Sequence, residues 1–404
     1  MKIRELPINI LIRLCGGFIS KMVSSAIFPF IALYLSDMFS KGFASVYLSI
    51  CVILAFFVNM FSGHIVDLVP RKKLLVISSY FESLVLFLMG LSIYYENPII
   101  FISVYFIYIN ISTFRRPALR AIIQDSVTIE NKDTTYRLDY WLINLAMAIG
   151  ILIGGLLYED YKVTLFIIST VVSLGVAILY HAAIQDSNKY INKRVHKNFV
   201  KDMLKSYGEV LKDNKFVVLT LGILIIFTAE LTMSNYVAVR LKSDFSTYNI
   251  LNYNVDGIRM FTIMNFMNTA IVVALTLLIG RLTKNIRTKK LFIFALIIYT
   301  LGYSIIMMSS DFWVLVIFIS LATIGEVIYA PIYNSKQMEL IPEKRRGSYN
   351  AFSSLSYTGA ELFARMTILF ATILEPKTVA LVFFVFLILG STILTVTLFS
   401  KKSM

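Results

Sequence analysis

Apolar runs and short polar turns alternate along the whole chain. Runs long enough to cross a hydrocarbon layer of about 30 Å fall at 8–36, 44–67, 73–95, 98–124, 137–158 and 162–184. A second set follows at 216–242, 257–281, 291–309, 312–334, 349–373 and 379–400. Each run predicts a helix, because only a helix satisfies its own backbone in lipid. The longest polar stretch lies between the sets and carries Lys189, Lys193, Arg194, Lys197, Lys201, Lys205, Lys212 and Lys215. The expectation is an all-α membrane protein of twelve transmembrane helices: a six-helix bundle over 1–184, a linker over 185–215 and a second six-helix bundle over 216–404.

Lys and Arg set the orientation. They collect in alternate turns, and only an arrangement with both termini and the linker in the cytoplasm puts most of them inside. The expected location is the plasma membrane, as a multi-pass protein. The opposite turns, such as Tyr95-Glu96-Asn97-Pro98 and Ser309-Ser310-Asp311, are too short to form a domain. The first apolar run contains Arg13 and Lys21 and has no small-residue cleavage site, so it reads as a retained helix and not a leader.

Composition agrees: 58% of residues are hydrophobic and 15% charged, with a mean hydropathy of +0.76. A net charge of +14 could suggest a nucleic-acid partner. The bases are scattered among turns, however, and form no patch or arm. Cys15 and Cys51 both fall inside spans with no metal-ligand spacing. No phosphate-cradling glycine loop or paired-histidine motif is present, so an enzyme is not expected, nor any cofactor or bound metal. The expected partners are a small-molecule substrate, protons and the lipid bilayer, with no obligate protein partner.

Ionisable groups within spans are costly, about 2.5–3.5 kcal/mol each on insertion scales, and so point to function. Arg13, Gly17, Ser20, Lys21 and Ser24 make one polar stripe on the first helix. Glu82 lies nine residues beyond Lys73, about 14 Å deep at 1.5 Å per residue. The fourth helix has Arg115, Arg116 and Arg120 around Pro117; adjacent residues point about 100° apart, so at most one of Arg115 and Arg116 faces a cavity squarely. In the second set Glu230 lies mid-span with Ser234 one turn on, and Thr262, Asn265, Asn268 and Thr269 form a polar face. Glu326 is the strongest candidate for a proton or cation site, since a lone carboxyl in an apolar run needs one or the other. Glu361 and Arg365, four apart, read as a self-neutralising pair. Of the aromatics only Tyr140 and Trp141 are candidates for binding.

The turn Gly63-His-Ile-Val-Asp67-Leu-Val-Pro-Arg71-Lys72-Lys73 recurs in spacing at Gly280-Arg-Leu-Thr-Lys-Asn-Ile-Arg-Thr-Lys-Lys, where Lys284 replaces Asp67. A duplicated scaffold accounts for the repeat. Asp67 can close its helix against the positive end of a neighbour and against Arg71 or Lys72. Gly63, Asp67, Arg71 and Lys72 thus read as a conformational latch that protonation weakens.

This turn resembles the signature loop of the major facilitator superfamily, although Leu68 stands where that family has a base and Pro70 where it has glycine. Asp125 followed fourteen residues on by Asp139 in Leu138-Asp139-Tyr140-Trp141, then Asn144-Leu145, Arg259-Met260, Gly325-Glu326-Val327-Ile328-Tyr329 and Pro331, resemble its proton-coupled multidrug exporters. The resemblance implies two bundles rocking about a central cavity and export of amphiphilic or lipophilic molecules in exchange for protons. It implies that Asp67, Asp125, Asp139 and Glu326 couple protons to closure. Together with the embedded polar residues read above, this gives Glu326, Glu230, Arg13, Arg116, Asn265 and Tyr140 as the expected substrate-binding set. Three departures are Ser234, where those exporters carry an aspartate, the pair Arg115-Arg116, which the resemblance does not supply, and Ile151, where the superfamily carries proline. The basic groups leave an alternative: a dedicated exporter of one endogenous metabolite, siderophore or lipid of anionic or zwitterionic character.

Overall fold

The computed structural model describes residues 6–128, 131–185, 207–250, 253–282, 286–342 and 346–399, some of them without their side chains. In the first set, α1 (Ile8–Ile27) passes through a 3-10 turn (Phe28–Phe30) into α2 (Ile31–Met38), followed by α3 (Lys41–Leu68), α4 (Arg71–Tyr94), α5 (Pro98–Ser126), α6 (Lys132–Leu157) and α7 (Lys162–Ala183). In the second, α8 (Asn214–Thr232) enters a π turn (Met233–Val237) and continues as α9 (Ala238–Asp244). Then come α10 (Gly257–Leu282), α11 (Thr288–Ile306), α12 (Phe312–Leu340), α13 (Arg346–Phe370) and α14 (Pro376–Phe399).

Among the described residues, eleven helical stretches are long and apolar enough to cross a membrane. α13 has the length of a span but carries Ser353, Ser354, Ser356, Thr358, Glu361 and Arg365. Pro29 explains the 3-10 turn: it supplies no N–H and interrupts the helical ladder. Helix starts follow capping rules, with Asn97, Asp213 and Asp311 accepting from the amides of Ile100, Phe216 and Val314. The repeated basic turns both sit at helix junctions, α3 to α4 and α10 to α11.

One compact unit comprises Met1–Ile31 and Ile50–Val195, the other Ala32–Ser49 and His196–Met404. α2 and the first turns of α3 therefore group with the second unit. Most of the expected linker, 186–206, lies outside the described residues.

In the first unit α1 packs on α6 and α7, and α4 packs on α5 and α7. Ile12, Leu75, Ala118, Ile122, Val176 and Tyr180 form a shared core. α1 and α6 approach closely at Gly154, where an added Cβ would lie 2.2 Å from the Ala26 carbonyl oxygen. Small residues permit such contact in membranes. Outward positions such as Phe81, Leu84 and Phe87 of α4 are exposed, as suits lipid.

In the second unit α11 packs along α12, α10 lies on α12, and α8 lies between α13 and α14. Buried Arg240 closes the end of α11: Nη1 donates to Ser310 Oγ at 2.8 Å and Nη2 to the Ile306 carbonyl at 3.1 Å. A cation there also complements the negative end of the helix. A two-stranded antiparallel hairpin, β1 (Tyr248–Ile250) with β2 (Tyr253–Val255), pairs Tyr248 with Val255 and Ile250 with Tyr253. Tyr248 stacks on Phe312 at 4.9 Å and accepts from Trp313 Nε1 at 3.1 Å.

Candidate functional site

Two embedded acids, Glu326 and Glu230, lie in the second unit. Glu326 sits on α12 immediately after Gly325, where a Cβ would lie 2.6 Å from the Ala295 carbonyl oxygen. α11 and α12 are pressed together there, which fixes the backbone that carries the carboxyl. Asn268 of α10 reaches across, its Nδ2 donating to Thr323 Oγ1 at 3.0 Å and to Glu326 Oε2 at 3.2 Å. Glu230 of α8 is close enough for its charge to interact with that of Glu326. Both are partly buried, and neither has a basic partner among the described residues.

Three buried tyrosines complete the surroundings. Tyr299 donates to the Ile226 carbonyl at 2.9 Å, tying α11 to α8. Its ring lies 4.7 Å from that of Tyr303 and 5.2 Å edge-on to that of Tyr329. All three are within electrostatic reach of both carboxyls. Pro331 lies within α12 and, lacking an N–H, leaves the Val327 carbonyl without its usual helical donor. The site thus holds two acids, an amide and a threonine hydroxyl in mostly apolar walls. Such a site can take up a proton or a cation.

Other expected site residues are placed differently. Asn265 donates to the Phe261 carbonyl of its own helix at 3.0 Å, and Thr262 and Thr269 likewise bond within α10. Of that polar face it is Asn268 that is seen to reach Glu326. Ser234 falls in the π turn, out of regular phase with Glu230. Arg365 donates to Glu361 at 2.6 Å, the pairing its spacing predicts.

Several charges of the first unit are paired across helices. Arg13 of α1 donates to Asp139 of α6, and Arg71 at the start of α4 donates to Asp125 near the end of α5. Arg71 was expected beside Asp67; its described partner is Asp125, while the side chains of Gly63 and Asp67 lie outside the described residues. Lys72 is partly buried at the start of α4. Arg115 and Glu82 make a two-pronged bridge between α5 and α4, with Nη2 donating to Oε1 at 3.0 Å and Nη1 lying 2.5 Å from Oε2. Tyr108 is within reach of Glu82. Arg116, the next residue, is exposed, as are Tyr140 and Trp141. The Lys284 end of the repeated turn is outside the described residues.

An apolar cavity of about 840 Å³ lies among α3, α4 and α5, lined by Phe57, Phe61, Phe81, Phe106 and Phe114, with Lys73 as its one charged lining residue. It holds none of the expected proton-coupling groups.

Sequence reasoning missed the tyrosines and the special role of Asn268. Tyr329 was within reach of it: three residues after Glu326, it shares a helix face. Tyr299 and Tyr303 come from another helix and carry no local signal.

Long apolar helices around embedded carboxyls and paired charges define a multi-pass α-helical membrane transporter. The sequence matches the Major Facilitator Superfamily over residues 13–364 and 241–403, and the chain belongs to that family of secondary transporters. It is 26% identical over 383 residues to a Na(+), Li(+), K(+)/H(+) antiporter of Planococcus maritimus, covering 91% of this chain and 90% of that protein. Its fold is similar to that of a peptide transporter (POT) in complex with alafosfalin, with a TM-score of 0.76 at 12% identity, covering 98% of this chain and 95% of that one. It is likewise similar to the nucleoside transporter NupG, with a TM-score of 0.73 at 11% identity over 98% of this chain and 100% of that one.

Proposed function

We propose that the chain is a proton antiporter of the plasma membrane, with cytoplasmic termini, that exports amphiphilic or lipophilic small molecules. The observation that carries this reading is the interacting pair Glu230 and Glu326, which lacks a basic partner among the described residues. Two like charges in a low-dielectric site repel strongly. One proton or one cationic cargo relieves that repulsion, so the two compete for the same place. If each favours a different conformation of the protein, the proton gradient drives the cargo. Asn268 orients Glu326, and the tyrosines supply a polarisable wall for a flat or lipophilic cation. Asp125 and Asp139 hold Arg71 and Arg13 across helices, so their protonation would release α4 from α5 and α1 from α6. Asp67 belongs to the same proposed switch.

The test is ethidium transport into inverted vesicles under an imposed proton gradient. Wild-type protein accumulates ethidium, and Glu326→Gln and Glu230→Gln abolish that accumulation. Gradient-driven uptake undiminished in the double variant would overturn the assignment.

A second reading takes an inorganic monovalent cation as the cargo. It is favoured by the similarity to the Planococcus maritimus antiporter and by the oxygen atoms of Glu326 and Thr323 gathered at Asn268. Proton release on adding Na⁺, Li⁺ or K⁺ to acid-loaded vesicles, with no ethidium flux, would select it.

A further inference from the structure

The embedded charges of the first unit do not cancel. Arg13 is held by Asp139 and Arg115 by Glu82. Lys21 on α1 and Arg116 on α5 remain. Neither has an ion pair or a hydrogen bond to an acidic side chain among the described residues. α1 packs against α5, and the charge of Arg116 bears on Lys21. Glu82 also feels Arg116, but its two oxygens are already occupied by the Arg115 fork.

The local geometry explains the separation of roles on α5. Consecutive helical residues project about 100° apart. Arg115 therefore turns into the packed interior, with a side chain 7% exposed, and Arg116 points to open space. Lys21 is partly buried on the stripe that also bears Arg13, Gly17, Ser20 and Ser24. Two neighbouring cations on one unit repel each other, and Lys21, partly buried, has less water to screen it than exposed Arg116. An anion between them turns one repulsion into two attractions.

We propose that Lys21 and Arg116 form a binding site for the acidic group of an amphiphilic substrate: a carboxylate, a sulfonate or a phosphate monoester. Arg116 offers a planar fork for two oxygens, and Lys21 a compact point charge for the same group. Ser24, three residues on, lies on the same helix face as Lys21. The exposed approach at Arg116 admits the ligand without disturbing the Glu82 bridge. This extends the exporter reading to amphiphiles that carry an acidic group, bound apart from the cation place at Glu230 and Glu326, and it rests on that reading for the direction of movement alone.

The experiment is a pair of fluorescence titrations on the full chain in lipid nanodiscs. One probe is dansylglycine, which carries a carboxylate; the other is dansylcadaverine, which carries an ammonium on the same fluorophore. The quantity read is the ratio of their Kd values, which cancels general damage to binding. In the Lys21→Met, Arg116→Gln double variant this ratio shifts against dansylglycine by about tenfold or more, the scale of one lost charge-assisted contact. Lys21→Arg keeps the ratio near the wild-type value. On wild-type protein, octyl sulfate displaces dansylglycine and octylammonium does not. That competition decides the matter even where the double variant fails to fold. No binding of dansylglycine to wild type, a ratio unmoved in the double variant, or displacement by both surfactants alike would overturn the proposal. Loss of proton-driven ethidium transport with the anion preference intact would instead overturn the exporter reading and leave this site standing.

Discussion

The Glu82–Arg115 bridge permits a quantitative prediction. Its nitrogen and oxygen lie 3.0 Å apart with side chains 6% and 7% exposed. At an effective dielectric of about 20 the attraction is about 5.5 kcal/mol. Desolvating the two ions costs several kcal/mol each, so the pair gains little over an apolar replacement. Breaking it from one side is another matter. Glu82→Gln leaves a buried guanidinium that cannot shed its proton, at a cost of about 3–5 kcal/mol. Arg115→Met costs less, because an abandoned carboxyl can take a proton and become neutral. Glu82→Leu with Arg115→Met returns to within about 1 kcal/mol of wild type, since both charges are gone and the volume is kept. Equilibrium unfolding in mixed dodecyl maltoside and SDS micelles measures all four proteins. A double variant as unstable as Glu82→Gln would refute this accounting, as would a Glu82→Gln cost below about 1 kcal/mol.

Other contacts of the protein carry expected outcomes of their own. Cargo-cation affinity at the Glu230–Glu326 pair rises with pH, because a departing proton vacates the place the cation takes; Kd measured from pH 5 to 8 on wild type and Glu326→Gln should show the slope vanish in the variant. Asn268→Leu removes the amide that orients Glu326 and should weaken cation binding by about tenfold, the scale of a hydrogen bond to a charged group, with stability measured in parallel. Gly154→Leu drives a side chain into the Ala26 carbonyl and should cost at least about 1–3 kcal/mol in the same unfolding assay. Arg240→Met strips the Ile306 carbonyl and Ser310 hydroxyl of their donor, at about 1–3 kcal/mol per group left unsatisfied.

Much of the architecture was legible because a run of some twenty apolar residues has few alternatives to a membrane helix. Helix ends were less so: α12 continues to Leu340, beyond the apolar run ending near 334, because its last turns are polar and still helical. Pairings within one helix, such as Glu361 with Arg365, follow from spacing. Pairings across helices do not. Arg13 and Asp139 were each singled out as embedded or switch charges, yet nothing local says that each neutralises the other. The ambiguity between Arg115 and Arg116 is settled by Glu82, a residue on another helix. The hairpin at 248–255 was missed because two three-residue strands give too little alternation to register.

The π turn at Met233–Val237 has a consequence for aim. It winds its bonds over one residue more than an α-helix does, and one residue amounts to about 100° of rotation. α9 is anchored by Arg240 to the end of α11, whereas α8 bears Glu230 on the other side of the turn. The azimuth of the Glu230 carboxyl relative to α9 thus depends on a residue count as well as on the contacts that hold α8. Deleting a single residue from 233–237 would swing the acid about the helix axis relative to α9 while removing none of the site's polar groups.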